Sequence, residues 1–68
     1  MEKKFISRKL MELRENVGLT RIQLAKITGL SLRAIESYEQ GARVPRDEVK
    51  ILLAKTLGTT VQAIFFEE

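Results

Sequence analysis

Residues 25–37 read AKITGLSLRAIES. Apolar residues stand at helical spacing on both sides of Gly29, yet a glycine and then a serine interrupt them. Glycine adopts positive φ without steric cost, and a serine just before an apolar run caps a helix N-terminus. The stretch therefore predicts the end of one helix, a tight corner and the start of another: a helix-turn-helix. Leu30 is placed to plug the corner. A corner used only for packing reads the same way, so these residues alone leave nucleic-acid binding as one of two interpretations.

Outward from the corner, the same rules predict five short helices. Ile6, Leu10, Leu13 and Val17 fall at steps of four, three and four, one face of a helix that ends at Gly18. Thr20 caps a second helix, which turns Leu24, Ala25 and Ile27 inward and stops at Thr28-Gly29. Ser31 caps a third that runs to about Gln40, with Gly41 just beyond. After the loop GARVP, residues 46–57 form a fourth helix closed by Gly58, and Thr60 caps a fifth, VQAIF. No stretch alternates with period two, so the expected fold is all-α. The expected core is Leu10, Leu13, Val17, Leu24, Ala25, Ile27, Leu30, Ile35, Leu53 and Leu57, with Val49 and Ile64 beside it and Tyr38 half inside, its hydroxyl wet.

The chain has 68 residues, enough for one domain spanning residues 1–68, and a domain of this size buries only ~60% of its unfolded surface. It has no cysteine and no histidine, which removes disulfides, thiol nucleophiles and most transition-metal sites. No apolar run approaches the ~20 residues of a membrane helix, and the N-terminus lacks the apolar segment of a signal peptide. A soluble cytoplasmic protein is expected, with no membrane partner. Residues 1–46 carry ten cations and five acids, and residues 47–68 carry two cations and four acids. A basic face suggests a polyanion partner, although ordinary surface charge accounts almost as well for a net +3.

LRENVGLTRIQLAKITGLSLRAIESYEQGARVP (residues 13–45), followed by LLAKTLGTTVQAIF (residues 52–65), resembles the phage-repressor (Cro/repressor-like) helix-turn-helix family. The resemblance is carried by Leu13-Arg14, Gly18-Leu19-Thr20, Leu24-Ala25, Gly29, Ser31, Ile35, Glu39-Gln40-Gly41, Pro45, Ala54 and Leu57-Gly58, and it extends over about residues 9–65 without a gap. It implies a compact five-helix domain, with the helix-turn-helix at about residues 20–40, that binds double-stranded DNA. Three positions depart from the family pattern. Arg21 stands where the family commonly has a phosphate-contacting glutamine, and Asp47 and Lys50 stand where apolar residues are usual. Lys50 is expected to snorkel past the core edge. Ile51 faces outward, either as a lone apolar surface residue or as part of a subunit contact.

In this fold the third helix lies in the major groove, with its first residues at base edges. Leu32, Arg33, Glu36 and Ser37 are expected to face the bases, on the side opposite Ile35. Arg33 can grip guanine O6 and N7 with two hydrogen bonds. Leu32 suits a thymine methyl, and Ser37 reads bases weakly. Glu36 can accept from cytosine N4, although a solvated or internally paired acid is the simpler account. Backbone phosphates are assigned to Arg21, Ser31, Gln40 and Arg43, with Lys26 and the N-terminal Lys3 and Lys4 as further contributors. The free amides at the start of the second helix, behind Thr20, add an anion site. The resemblance also implies an ion pair, Arg14–Glu39, that sets the angle of the third helix.

Phe65 and Phe66 are adjacent, so one small core cannot easily take both. The tail, residues 60–68, is therefore expected to support a symmetric homodimer through Ile64, Phe65, Phe66 and Ile51. The leading functional expectation is a sequence-specific transcriptional regulator, a repressor acting on a palindromic operator. The alternative is a helix-turn-helix module used mainly for protein–protein interaction, such as an antitoxin or a partner of another regulator. Nothing in the chain suggests catalytic residues, a metal, a cofactor or a small-molecule substrate: there is no glycine-rich phosphate loop and no pair of acids in an evident cleft.

Overall fold

A computed structural model describes the backbone of residues 3–66 and the side chains of residues 6–66. Along it run α1 (Lys3–Asn16), α2 (Arg21–Thr28), α3 (Leu32–Glu39), α4 (Asp47–Thr56) and α5 (Val61–Phe65), with no strand among the described residues. The fold is all-α, as expected. Three helices begin at side-chain caps. Thr20 accepts from the Gln23 amide at 3.1 Å while the Gln23 side chain accepts from the Thr20 amide at 2.8 Å, a reciprocal capping box. Ser31 accepts from the Ala34 amide at 3.0 Å, and Thr60 from the Ala63 amide at 3.1 Å. The fourth has Arg46 at its start with no side-chain cap bond. Asp47 and Glu48 occupy its first turn instead, where the helix dipole favours acids.

Gly29 closes α2 in the left-handed region at φ 78°, and its amide donates to the Ala25 carbonyl at 2.9 Å. Thr28 completes the corner. Its hydroxyl donates to the Leu24 carbonyl at 2.8 Å and accepts from the Leu30 amide at 3.2 Å. One side chain thus ties the last turn of α2 to the first residue beyond the glycine. Leu30 packs, partly buried, against the core.

Helix α1 packs on α3 and α5, α2 packs on α3 and α4, and α4 packs on α5. Between them lie Ile6, Leu10, Leu24, Ala25, Ile35, Tyr38, Leu53, Ala54, Leu57, Ile64 and Phe65, with Leu13, Leu30 and Val49 at the margin. Two expected core residues are surface residues. Val17 is 48% exposed and Ile27 60% exposed. Val17 lies beyond the last residue of α1, where the chain turns at Gly18 and the Leu19 amide closes back onto the Arg14 carbonyl at 3.1 Å. Ile27 sits about 110° around α2 from the midpoint of Leu24 and Ala25, at ~100° per residue, which carries it off the narrow buried face. Tyr38 lies deeper than expected and is buried.

The C-terminal turn corrects the expected dimer surface. Ile64 and Phe65 are both fully buried within the single chain. The helix is short, so two successive inward residues can close the bottom of the core between α1 and α4. Phe66, in extended backbone beyond α5, is left outside with Ile51. Lys50 is largely covered. Its ammonium lies 5.6 Å from the Phe65 ring centre and 5.5 Å from that of Phe66, and 3.8 Å from an Asp47 carboxylate oxygen. A cation over aromatic faces explains how a lysine occupies a position where an apolar side chain would serve.

Candidate nucleic-acid interface

The angle of α3 is set by charge as well as by packing. Arg14 Nε donates to Glu39 Oε2 at 2.7 Å and Arg14 Nη2 to Glu39 Oε1 at 3.0 Å, a two-bond grip between the end of α1 and the end of α3. Arg14 Nη1 donates in addition to the Leu19 carbonyl at 2.8 Å, which pins the α1–α2 loop to the same guanidinium. Arg21, the first residue of α2, donates from Nε to Glu39 Oε1 at 2.9 Å. One carboxylate therefore links three elements through two arginines. The Glu39 side chain is 0% exposed and that of Arg21 is 41% exposed, so the cluster runs from the interior to the surface. The hydrogen bond to Glu39 holds the Arg14 pKa above its ordinary value; desolvation opposes this, and the nearby charges of Glu39 and Glu15 add to it.

The link from Arg21 to Glu39 is absent from the sequence reading. A signal for it exists: Arg21 precedes the fully buried Leu24 by three residues, so both project from one side of α2. The anion site expected behind Thr20 is also reduced, because the capping box engages the amides of Thr20 and Gln23. Arg21 and its neighbour Ile22 provide the remaining amides of the first turn.

On α3, Arg33 is exposed and lies opposite the fully buried Ile35. The other three base-facing candidates are distributed differently from the single outward face expected. Leu32 and Glu36 occupy the flank of α3 turned toward the first turn of α2, and Ser37 is half-buried on the other side. The Ser37 carbonyl accepts the amides of Ala42 and Arg43 at 2.9 and 3.3 Å, closing the end of α3. Four residues at ~100° intervals cannot share one line, and they form a band instead.

Around this band, Ser31, Lys26, Gln40 and Arg43 are exposed. The Ser31 hydroxyl oxygen serves the cap and keeps its proton for another acceptor. Arg43 is drawn back over the Tyr38 ring, 5.6 Å from its centre, so the loop after α3 is ordered against the core. The side chains of Lys3 and Lys4 lie outside the described residues. No group of three or more acids suited to a metal occurs among the described residues, and no described helix is long and apolar enough to cross a membrane.

An open cleft of about 620 Å³ lies beside the recognition band. It is lined by the end of α1, the α1–α2 loop, the first turn of α2 and the first two turns of α3. Exposed Ile22 of α2 and Leu32 of α3 both line it, together with Arg14, Arg21, Glu15 and Glu36.

A buried arginine–glutamate grip, a glycine corner and a following helix with Leu32 and Arg33 exposed at its start together define a helix-turn-helix. The helix-turn-helix family model matches residues 10–64, most of the chain, and the chain belongs to that family, in its Cro/C1 phage-repressor type. The family is one of DNA-binding regulatory domains and is not a family of enzymes. Searches of curated proteins and of solved structures returned no match.

Proposed function

We propose that the chain is a sequence-specific transcriptional regulator that lays α3 in the major groove of duplex DNA and represses from a palindromic operator as a homodimer. The observation that carries this reading is the exposure of Arg33 opposite the buried Ile35, on a helix clamped by Arg14, Glu39 and Arg21. Arg33 reads guanine. Leu32 and Ser37 contact neighbouring bases, and Arg21, Ser31, Gln40, Arg43 and Lys26 hold the strands. Arg21 uses one nitrogen on Glu39 and turns its exposed part to a phosphate, so the phosphate contact and the clamp share a side chain.

In vitro selection of bound duplexes from a random pool tests the reading, and should return a two-fold-symmetric site with half-sites ~34 Å apart. Arg33→Ala should then relax preference at one base position, at a cost of ~1–3 kcal/mol on the preferred operator. Loss of the same affinity on every sequence would remove Arg33 from base reading.

A second reading, a module that binds protein, is favoured by the exposed apolar pair Ile51 and Phe66. Salt separates the two. Binding to DNA weakens steeply as salt rises, and an apolar protein contact does not.

A further inference from the structure

Ile22 has no part in the core, the caps or the clamp, yet it is 55% exposed and lines, with Leu32, 38% exposed, the cleft beside α3. We propose that Ile22 is a specificity-determining residue: together with Leu32 it forms an apolar slot for the C5-methyl group of one thymine per half-site. This rests on the DNA-binding function proposed above.

Three observations select this occupant. The slot includes Leu32, the first residue of α3, the helix that a helix-turn-helix lays in the major groove. Its charged lining is balanced, Glu15 and Glu36 against Arg14 and Arg21, so the cleft has no excess positive charge to draw a phosphate into it, and Ile22 and Leu32 are its exposed large apolar side chains. Among the four bases, only thymine presents an apolar group in the major groove, the C5-methyl. Two branched aliphatic side chains, from two different helices, can enclose that methyl from both sides. Leu32 alone covers one side only.

Each thymine of the selected operator is replaced in turn by deoxyuridine, which removes the methyl and leaves pairing unchanged. The 68-residue chain should lose affinity about fourfold at one position per half-site, the effect of one buried methyl. Ile22→Ala should bind the parent operator weakly by a similar factor and respond to deoxyuridine at that position by less than about 1.5-fold, while Arg33→Ala keeps the full response. Ile22 is exposed, so the variant's folded helical signal and melting temperature should match the parent's. If the operator is bound specifically but no thymine is sensitive, or if the sensitivity persists in Ile22→Ala, the slot is overturned and the DNA-binding function stands. If no sequence is preferred at all, both fall together.

Discussion

Glu39 shows how one side chain can hold a fold and shape a binding surface together. Its carboxylate is enclosed and meets two guanidiniums, so removing it leaves Arg14 charged and poorly compensated in the interior. Glu39→Ala should cost about 3–5 kcal/mol in urea unfolding, a large part of the stability of a domain this small. Arg21→Ala differs in kind. Its side chain is exposed enough for solvent to screen the pair, so the stability loss should stay below about 1 kcal/mol. DNA affinity should fall on all sequences, and the salt slope should drop by about one. A large drop in melting temperature with an unchanged salt slope would assign Arg21 to the clamp alone. Arg14 also makes a pH prediction. Its pKa is raised in the folded state, chiefly by the hydrogen bond to Glu39, so its contribution is complete below the ordinary arginine value and is lost only as pH climbs through the raised one. The destabilisation caused by Arg14→Met should therefore be the same at about pH 6 and about pH 9 in paired urea melts. The pair Arg14–Glu39 was legible through the family resemblance. The third partner was not, because contact between the start of α2 and the end of α3 depends on how the helices cross.

At the level of the elements, the corner between α2 and α3 is made from local chemistry. Gly29 has positive φ and open space around its Cβ position, so Gly29→Ala meets no neighbour and suffers only backbone strain, about 1–2 kcal/mol. Ser31→Ala should cost about 1 kcal/mol by freeing the Ala34 amide. Gly29→Ala should weaken operator binding through α3 alone, so stabilising osmolyte should restore binding, whereas Ser31→Ala also removes the proposed strand contact and should be restored only in part, as circular dichroism melts and affinity measured on one sample can separate. Caps and stops were readable because each depends on residues within five of one another. Inward faces were readable only in part. The i, i+3, i+4 rule points to one side of a helix and does not say how wide a strip the neighbours cover. Ile27 was assigned to the core and lies outside it, and Ile22, which flanks α2 on the other side, drew no attention in the sequence reading.

For the molecule as a whole, adjacent phenylalanines have opposite fates. Phe65 closes the core and Phe66 stands at the surface, 47% exposed, beside the partly covered Lys50. Phe65→Ala should destabilise the domain by about 3–5 kcal/mol. Phe66→Ser should leave the melting temperature within a few degrees and shift any monomer–dimer equilibrium toward monomer, as read by analytical ultracentrifugation. An unchanged equilibrium in both Phe66→Ser and Ile51→Ser would remove these two residues from any subunit contact. The expectation that one core cannot hold both rings agrees with the structure. Which ring it holds follows from the geometry of α5 against α1 and α4, to which no single segment of sequence refers.

The order of letters alone determined the five helices, their caps and the glycine corner, because hydrogen bonds over a few residues and a helical period are local properties of a chain. With the family likeness, it also identified the arginine–glutamate grip. Only the tertiary arrangement decided that Glu39 serves two arginines, that Ile64 and Phe65 are interior, and that Ile22 and Leu32 line one cleft. Those contacts join residues distant in sequence, and the crossing angles that create them come from the packing of all the helices at once.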